Sequence, residues 1–237
     1  MDDFQYSSTV PLAQRLRPAN LSEVVGQSHL LGRGKALSSL IESGRISNMI
    51  FFGPPGTGKT TVANIAAQKT GRRFHKLNGT TASTADIKAI IDELDTFAGQ
   101  NGILLYLDEI QYLNKKQQQV LLSYLESGRI TMIASTTENP YFYVYGALLS
   151  RCMVFEFKPV QEEEIVRNLV RAAKVLSDEM DRSVTLADGA GEAIARAAGG
   201  DVRRSLNTLE TCVLTLLDGA EGQLVVTPEL VAEIAQR

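Results

Sequence analysis

The segment Gly53-Pro54-Pro55-Gly56-Thr57-Gly58-Lys59-Thr60 fits the pattern G-x-x-x-x-G-K-[ST] at every fixed position. Its chemistry is the cradling of a polyphosphate. Glycines let the backbone curl until successive N–H groups point at one anion, and their missing Cβ lets phosphate oxygens approach closely. Lys59 then reaches the β- and γ-phosphates, and the Thr60 hydroxyl ligates Mg²⁺. An acidic pair, Asp108-Glu109, lies downstream. Alone, such a pair is better read as a solvated strand end. Behind a phosphate loop, Asp108 holds Mg²⁺, usually through water, and Glu109 polarises the water that attacks the γ-phosphate. A nucleotide kinase gains nothing from a water-activating carboxylate, so hydrolysis is the favoured reaction.

These groups need elements to hold them. A phosphate loop works between a strand and a helix whose positive N-terminal end faces the anion. The apolar run Asn48-Met49-Ile50-Phe51-Phe52 supplies the strand, and residues 61–68, opened by Thr61, supply the helix. Ile103-Leu104-Leu105-Tyr106-Leu107 is a continuous apolar run, as expected of a central parallel strand covered on both faces, and it delivers Asp108 at its end. Residues 74–77, 130–135 and 153–157 read as further strands. Helical periodicity marks 35–43, a stretch capped by Thr84 with Ile87, Ile90, Ile91 and Leu94 on one stripe, and 115–126. This alternation predicts an α/β fold with a five-stranded parallel sheet flanked by helices, over residues 1–158. From Pro159 only helical periodicity remains, over 162–175, 189–198, 202–217 and 228–236, which predicts a small all-helical second domain over 159–237.

The chain has 237 residues with 44% hydrophobic content, enough to bury the core of one large domain or two modest ones. A net charge of -3 argues against a strongly basic nucleic-acid surface but leaves room for a local patch. Two such patches are Arg72, Arg73 and Lys76, and Arg33 and Lys35 with Arg15 and Arg17; a solvated face is the alternative for both. Tyr141, Phe142, Tyr143 and Tyr145 suit base stacking, or packing between domains or subunits, which is favoured. Cys152 and Cys212 have no metal-ligand spacing and read as small buried hydrophobes in a reducing compartment. His29 and His75 read as structural. The first ten residues are polar and carry Asp2 and Asp3, unlike a secretory signal, and no run approaches the length of a membrane span.

Taken with these motifs, residues 15–237 resemble the AAA+ P-loop NTPases, in particular the clamp-loader and RuvB branch. Within it the chain is most similar to the RarA/MgsA family, the replication-associated recombination proteins. The likeness rests on Arg15-Leu16-Arg17-Pro18 with Val24-Val25-Gly26-Gln27, on Ala134-Ser135-Thr136-Thr137-Glu138-Asn139-Pro140 followed by Ala147-Leu148-Leu149-Ser150-Arg151, and on residues 118–128. One departure is Gln111, where the family commonly has histidine. The resemblance implies that the segment containing Val24 and Val25 packs around the adenine, and that Thr136 or Thr137, with Thr137 favoured, is the sensor 1 residue reading the γ-phosphate. It also implies that Arg151 reaches the ATP of a neighbouring subunit. In Gly200-Asp201-Val202-Arg203-Arg204-Ser205-Leu206-Asn207, Arg203 becomes the sensor 2 arginine, brought over the phosphates by a helical lid. A planar guanidinium suits both tasks, because it neutralises charge spread over phosphoryl oxygens.

The implied activity is Mg²⁺-dependent, DNA-stimulated ATP hydrolysis at stalled or gapped replication forks. The implied partners are DNA, single-strand-binding protein and further copies of the chain, in the cytoplasm with the nucleoid and without a membrane. Two other readings remain open: a clamp-loader or branch-migration subunit, against which Glu138-Asn139-Pro140 speaks, and an ATP-binding switch with negligible turnover. Family members carry a further helical oligomerisation region after the lid; the chain stops where the lid should stop, so that region is expected to be absent.

Overall fold

The computed structural model describes residues 9–96, 99–217 and 222–235; Asp2, Asp3 and Gln236 lie outside the described residues. In chain order the elements are α1 (Leu12–Arg15), α2 (Ser28–Leu31), α3 (Ala36–Glu42), β1 (Met49–Phe52), α4 (Lys59–Thr70), β2 (Arg73–Asn78), α5 (Thr84–Glu93), β3 (Ile103–Asp108), α6 (Lys115–Glu126), β4 (Ile130–Thr136), α7 (Pro140–Tyr143), α8 (Gly146–Leu149), β5 (Met153–Glu156), α9 (Glu162–Met180), β6 (Val184–Leu186), α10 (Ala190–Ala198), α11 (Val202–Leu217), β7 (Leu224–Val226) and α12 (Pro228–Ala235). They fall into two units, Ala19–Lys158, and Met1–Pro18 together with Pro159–Arg237.

In the unit Ala19–Lys158 the five strands form one sheet of order β2-β3-β4-β1-β5, parallel throughout. Alternate side chains serve opposite faces. Met49, Phe51, Leu104, Tyr106 and Ile133 pack with Leu37 and Ile41 of α3 and Val62, Ile65 and Ala66 of α4. Ile50, Leu105, Leu107, Met132 and Ala134 pack with Ile87 and Ile90 of α5 and Leu121 and Leu125 of α6. Covering on both faces explains why β1 and β3 read as apolar runs. The strand order sets β4 between β3 and β1, so the C-terminal ends of these three strands are neighbours.

Helix starts are decided by short polar side chains. Asn114 opens α6 by accepting from the Gln117 N–H, while Gln117 accepts from the Asn114 N–H. At α5 the cap is Ser83, not Thr84: Ser83 has extended backbone, its hydroxyl accepts from the Asp86 N–H at 3.2 Å, and the Asp86 carboxylate accepts from the Ser83 N–H at 2.7 Å.

The second unit buries Ile165, Leu169 and Leu176 of α9, Ile194 of α10, and Leu209 and Val213 of α11. It is not helical alone. β6 and β7 pair in parallel, Val184 with Leu224 through Leu186 with Val226. Each strand has three residues, too few to show a period of two, and both connect helices whose periodicity dominates the surrounding sequence. A further correction concerns α1, which was expected in the first domain. The Leu12 N–H donates to Glu210 Oε2 at 2.9 Å, and Arg15 pairs with Glu210 at 2.9 Å and with Glu179, all inside the second unit.

Candidate nucleotide-binding site

The loop between β1 and α4 is closed by backbone that favours glycine. Gly53, Gly56 and Gly58 have φ of 139°, 65° and 99°. A Cβ on Gly53 would lie 2.0 Å from the Phe157 carbonyl oxygen, so the loop leaves β1 where no side chain fits. Thr57 Oγ1 donates to the Pro54 carbonyl at 2.9 Å and braces the curl, while Pro54 and Pro55 face outward. Lys59, the first residue of α4, is buried, and its ammonium donates to the carbonyls of Gly53 at 2.6 Å and Pro54 at 2.7 Å. Gly58 precedes α4 in left-handed backbone, no side chain caps the helix, and its first turn holds no acidic residue. That end of α4 therefore presents N–H groups and positive dipole to an anion. Thr61 follows half-buried in the same turn.

The ends of β3 and β4 meet this loop through hydroxyl groups. Tyr106 is fully buried, two residues before Asp108 and on the same face of β3. Its hydroxyl lies 2.9 Å from Thr60 Oγ1, 2.8 Å from Ser135 Oγ and 3.1 Å from Asp108 Oδ1, and Ser135 donates to the same Oδ1 at 2.5 Å. Burial first, and then the Asp108 charge, push the Tyr106 phenol well above its ordinary pKa, so it keeps its proton. Thr60 and Asp108 are thus joined through one phenol. They offer a hydroxyl and a carboxylate, hard oxygen donors that fit Mg²⁺. Among the described residues no group of three or more His, Cys, Asp or Glu could hold a metal.

Glu109 takes left-handed backbone, φ 54°, and the Gln111 side-chain amide donates to its Oε2 at 2.6 Å. Gln111 Oε1 is buried without a partner. The tight passage under Glu109 needs Gly79, whose Cβ would meet the Glu109 carbonyl oxygen at 2.3 Å. At the end of β4 the two threonines differ. Thr136 is buried, and its hydroxyl accepts from the Glu138 N–H at 3.0 Å, whereas Thr137 is exposed. Val24 and Val25 are half-buried, and Val24 Cγ1 would lie 3.5 Å from a Cβ on Gly58, against the loop. The segment is fastened by Gln27, whose side-chain amide donates to the Lys158 carbonyl at 2.7 Å and accepts from the Lys158 N–H at 3.0 Å.

The two arginines are exposed. Arg151 is exposed, donates to the Ala147 carbonyl at 2.7 Å and pairs with Glu126 at 2.5 Å. Arg203 is exposed on α11 of the other unit. Much of the basic surface read from the sequence has partners: Arg72 donates to Thr131 Oγ1 at 2.5 Å, Arg73 pairs with Glu93 at 3.0 Å, and Lys76 lies 5.6 Å from the Tyr106 ring centroid. Arg15 is held by Glu179 and Glu210. Tyr141, Phe142 and Tyr143 are exposed, while the Tyr145 N–H donates to Gln118 Oε1 at 2.8 Å. His29 contacts the Glu156 carbonyl at 2.9 Å, and His75 lies 2.7 Å from Glu93. Burial pushes the thiol of Cys152 up to about 12 and that of Cys212 up to about 11. No helix of the described residues is long and apolar enough to cross a membrane.

Tyr106 and Ser135, which no chemical motif marks in the sequence, lie against Thr60 and Asp108. The available signal was a tyrosine two residues before the first acidic residue, hence on its face, within an otherwise aliphatic run.

Comparison with known proteins agrees with this geometry. Residues 49–160 match the ATPase family associated with various cellular activities (AAA). Replication-associated recombination protein A of Bacillus subtilis is 38% identical over 231 residues, 96% of this chain and 53% of the relative. Its counterpart in Escherichia coli K12 is 39% identical over 236 residues, 98% of this chain and 53% of the relative. The chain thus spans about half the length of these curated relatives. Among solved structures, the Thermotoga maritima RuvB Holliday junction branch migration motor superposes with a TM-score of 0.75 at 26% identity, covering 94% of this chain and 73% of that one. Over nearly its whole length the chain is thus similar to the replication-associated recombination proteins A, and residues 49–160 carry an AAA ATPase domain.

Proposed function

We propose that the chain binds ATP with Mg²⁺ and hydrolyses it, and that turnover serves DNA at stalled or gapped replication forks. The observation that carries the chemistry is the meeting of the Lys59 loop, Thr60 and Asp108 at the adjoining ends of β1, β4 and β3, with Glu109 next in the chain. On this reading Lys59 leaves the Gly53 and Pro54 carbonyls for the β- and γ-phosphates, and Val24 and Val25 border the base. Thr60 and Asp108 hold the cation, which when bound neutralises charge on the phosphate oxygens. Glu109 takes the proton of the attacking water, and Thr137, the exposed threonine, reads the γ-phosphate.

Arg151 and Arg203 complete the site from outside this cluster, Arg203 from the second unit of its own chain and Arg151 from a neighbouring copy. The exposed position of Arg151 suits donation in trans. The DNA substrate, single-strand-binding protein, homo-oligomeric assembly and a place at the nucleoid rest on the family and on the names of the relatives. The nearer likeness to the recombination proteins, 38–39% against 25–26% for RuvB, favours this reading over branch migration.

The test is ATP hydrolysis per subunit against protein concentration, with forked DNA, for the wild type and Arg151→Ala. Specific activity that rises with concentration, and a substitution that removes the rise by several powers of ten, support a shared site. Flat, negligible turnover with intact nucleotide binding overturns hydrolysis in favour of an ATP-dependent switch.

A further inference from the structure

We propose that Tyr106 is a positioning residue for the cation end of the site, orienting Thr60 and Asp108 through one directed chain of hydroxyl protons. The inference rests on the reading of Thr60 and Asp108 as Mg²⁺ ligands and adds a residue that the phosphate-loop pattern does not contain.

The direction of the chain follows from counting protons. Tyr106, Ser135 and Thr60 each have one hydroxyl proton, and an ionised Asp108 has none. Ser135 donates to Asp108 Oδ1 at 2.5 Å. The Tyr106 proton goes to Ser135 Oγ at 2.8 Å, or is shared with Asp108 Oδ1 at 3.1 Å. The contact of 2.9 Å between Tyr106 and Thr60 must then use the Thr60 proton, with the phenol oxygen accepting. Thr60 Oγ1 therefore points its hydrogen into the core, and its lone pairs remain for a cation. Oδ1 of Asp108 accepts from Ser135 and lies 3.1 Å from the Tyr106 hydroxyl, which leaves Oδ2 for the cation or its waters. The same phenol thus sets the polarity of one ligand and the orientation of the other.

The three strand ends make this arrangement possible. Tyr106 and Asp108 share a face of β3, Ser135 lies on the adjoining β4 level with Phe51 of β1, and Thr60 is in the first turn of the helix that follows β1. The Tyr106 ring is packed among Phe51, Ile133 and the α4 side chains, so the hydroxyl has a fixed anchor. A phenylalanine would fill the same space and pack equally well. The hydroxyl is therefore what the chain of protons requires and the core does not.

The test is binding of a fluorescent ADP analogue titrated with MgCl₂, and separately in EDTA, for the wild type, Tyr106→Phe, Ser135→Ala and the double variant, with melting temperatures alongside. Tyr106→Phe is expected to raise half-saturating Mg²⁺ about tenfold, the scale of groups that orient metal ligands, while affinity in EDTA stays within about twofold. Ser135→Ala should shift in the same direction, and the double variant no further than the larger single shift, because one chain is broken in each. An unchanged Mg²⁺ requirement in Tyr106→Phe, or shifts that multiply in the double variant, overturns the inference. Should Tyr106→Phe not fold, Ser135→Ala decides by the same criterion. Wild-type protein whose nucleotide binding ignores Mg²⁺ overturns the cation-binding reading itself, a result distinct from a Mg²⁺-dependent wild type with an indifferent Tyr106→Phe.

Discussion

Gln111 and Glu109 are joined by one hydrogen bond of 2.6 Å, from the Gln111 amide to Glu109 Oε2, at a point where Glu109 holds left-handed backbone. Glu109→Gln keeps the size of the side chain and an oxygen that accepts from Gln111, and removes only the capacity to take a proton. Nucleotide affinity should stay within about twofold while turnover falls at least about 100-fold, the lower range for a lost general base. Equilibrium binding and phosphate release, measured on the same preparations, check this; undiminished turnover would remove Glu109 from the chemistry.

Gly53→Ala tests the exit from β1. The new methyl would stand 2.0 Å from the Phe157 carbonyl oxygen at a φ of 139°, so either the loop or β5 must move. A cost of about 3 kcal/mol is expected from strain of this kind, seen as a fall of roughly 6–12 °C in melting temperature. Nucleotide binding should be lost with it. A variant that melts like the wild type would show that the loop is looser than its contacts.

Glu210→Ala addresses α1. One carboxylate accepts from the Leu12 N–H and from Arg15, and removing it strands a backbone donor beside fully buried Leu12. Urea denaturation of the second unit should show a loss of about 1–3 kcal/mol.

Asp86 carries a pH signature. The Ser83 backbone N–H, and then the Ser83 hydroxyl, hold its carboxyl below the ordinary value of 3.8. A lowered folded pKa means that the cap of α5 contributes fully above pH 3.8 and is lost as pH falls through the lowered value. In Ser83→Ala the backbone donor remains and the hydroxyl is gone, so the Asp86 midpoint by carboxyl NMR should rise part of the way towards 3.8.

What could be read from the sequence was whatever local chemistry enforces. The loop needs glycine at fixed spacings, and a strand covered on both faces must be apolar along its length, so Lys59, Thr60 and Asp108 could be placed before any coordinates. Tyr106 could not, because a tyrosine inside an aliphatic run satisfies the strand pattern. Its role exists only through Thr60 and Ser135, which reach it from elsewhere in the chain. β6 and β7 escaped for want of length, and α1 because its partners Glu179 and Glu210 lie more than 160 residues away. The Ser83 cap was missed by one position, since Thr84 carries the same kind of hydroxyl and only backbone conformation separates them.

The Gln27 amide deserves a kinetic reading. Its paired hydrogen bonds with the Lys158 backbone clasp positions 131 residues apart. A link of that span is costly in chain entropy until the strands between are in place, so it closes late in folding. Contacts made after the transition state act on the unfolding rate. Gln27→Ala is therefore expected to speed unfolding of the α/β unit while leaving its folding rate little changed.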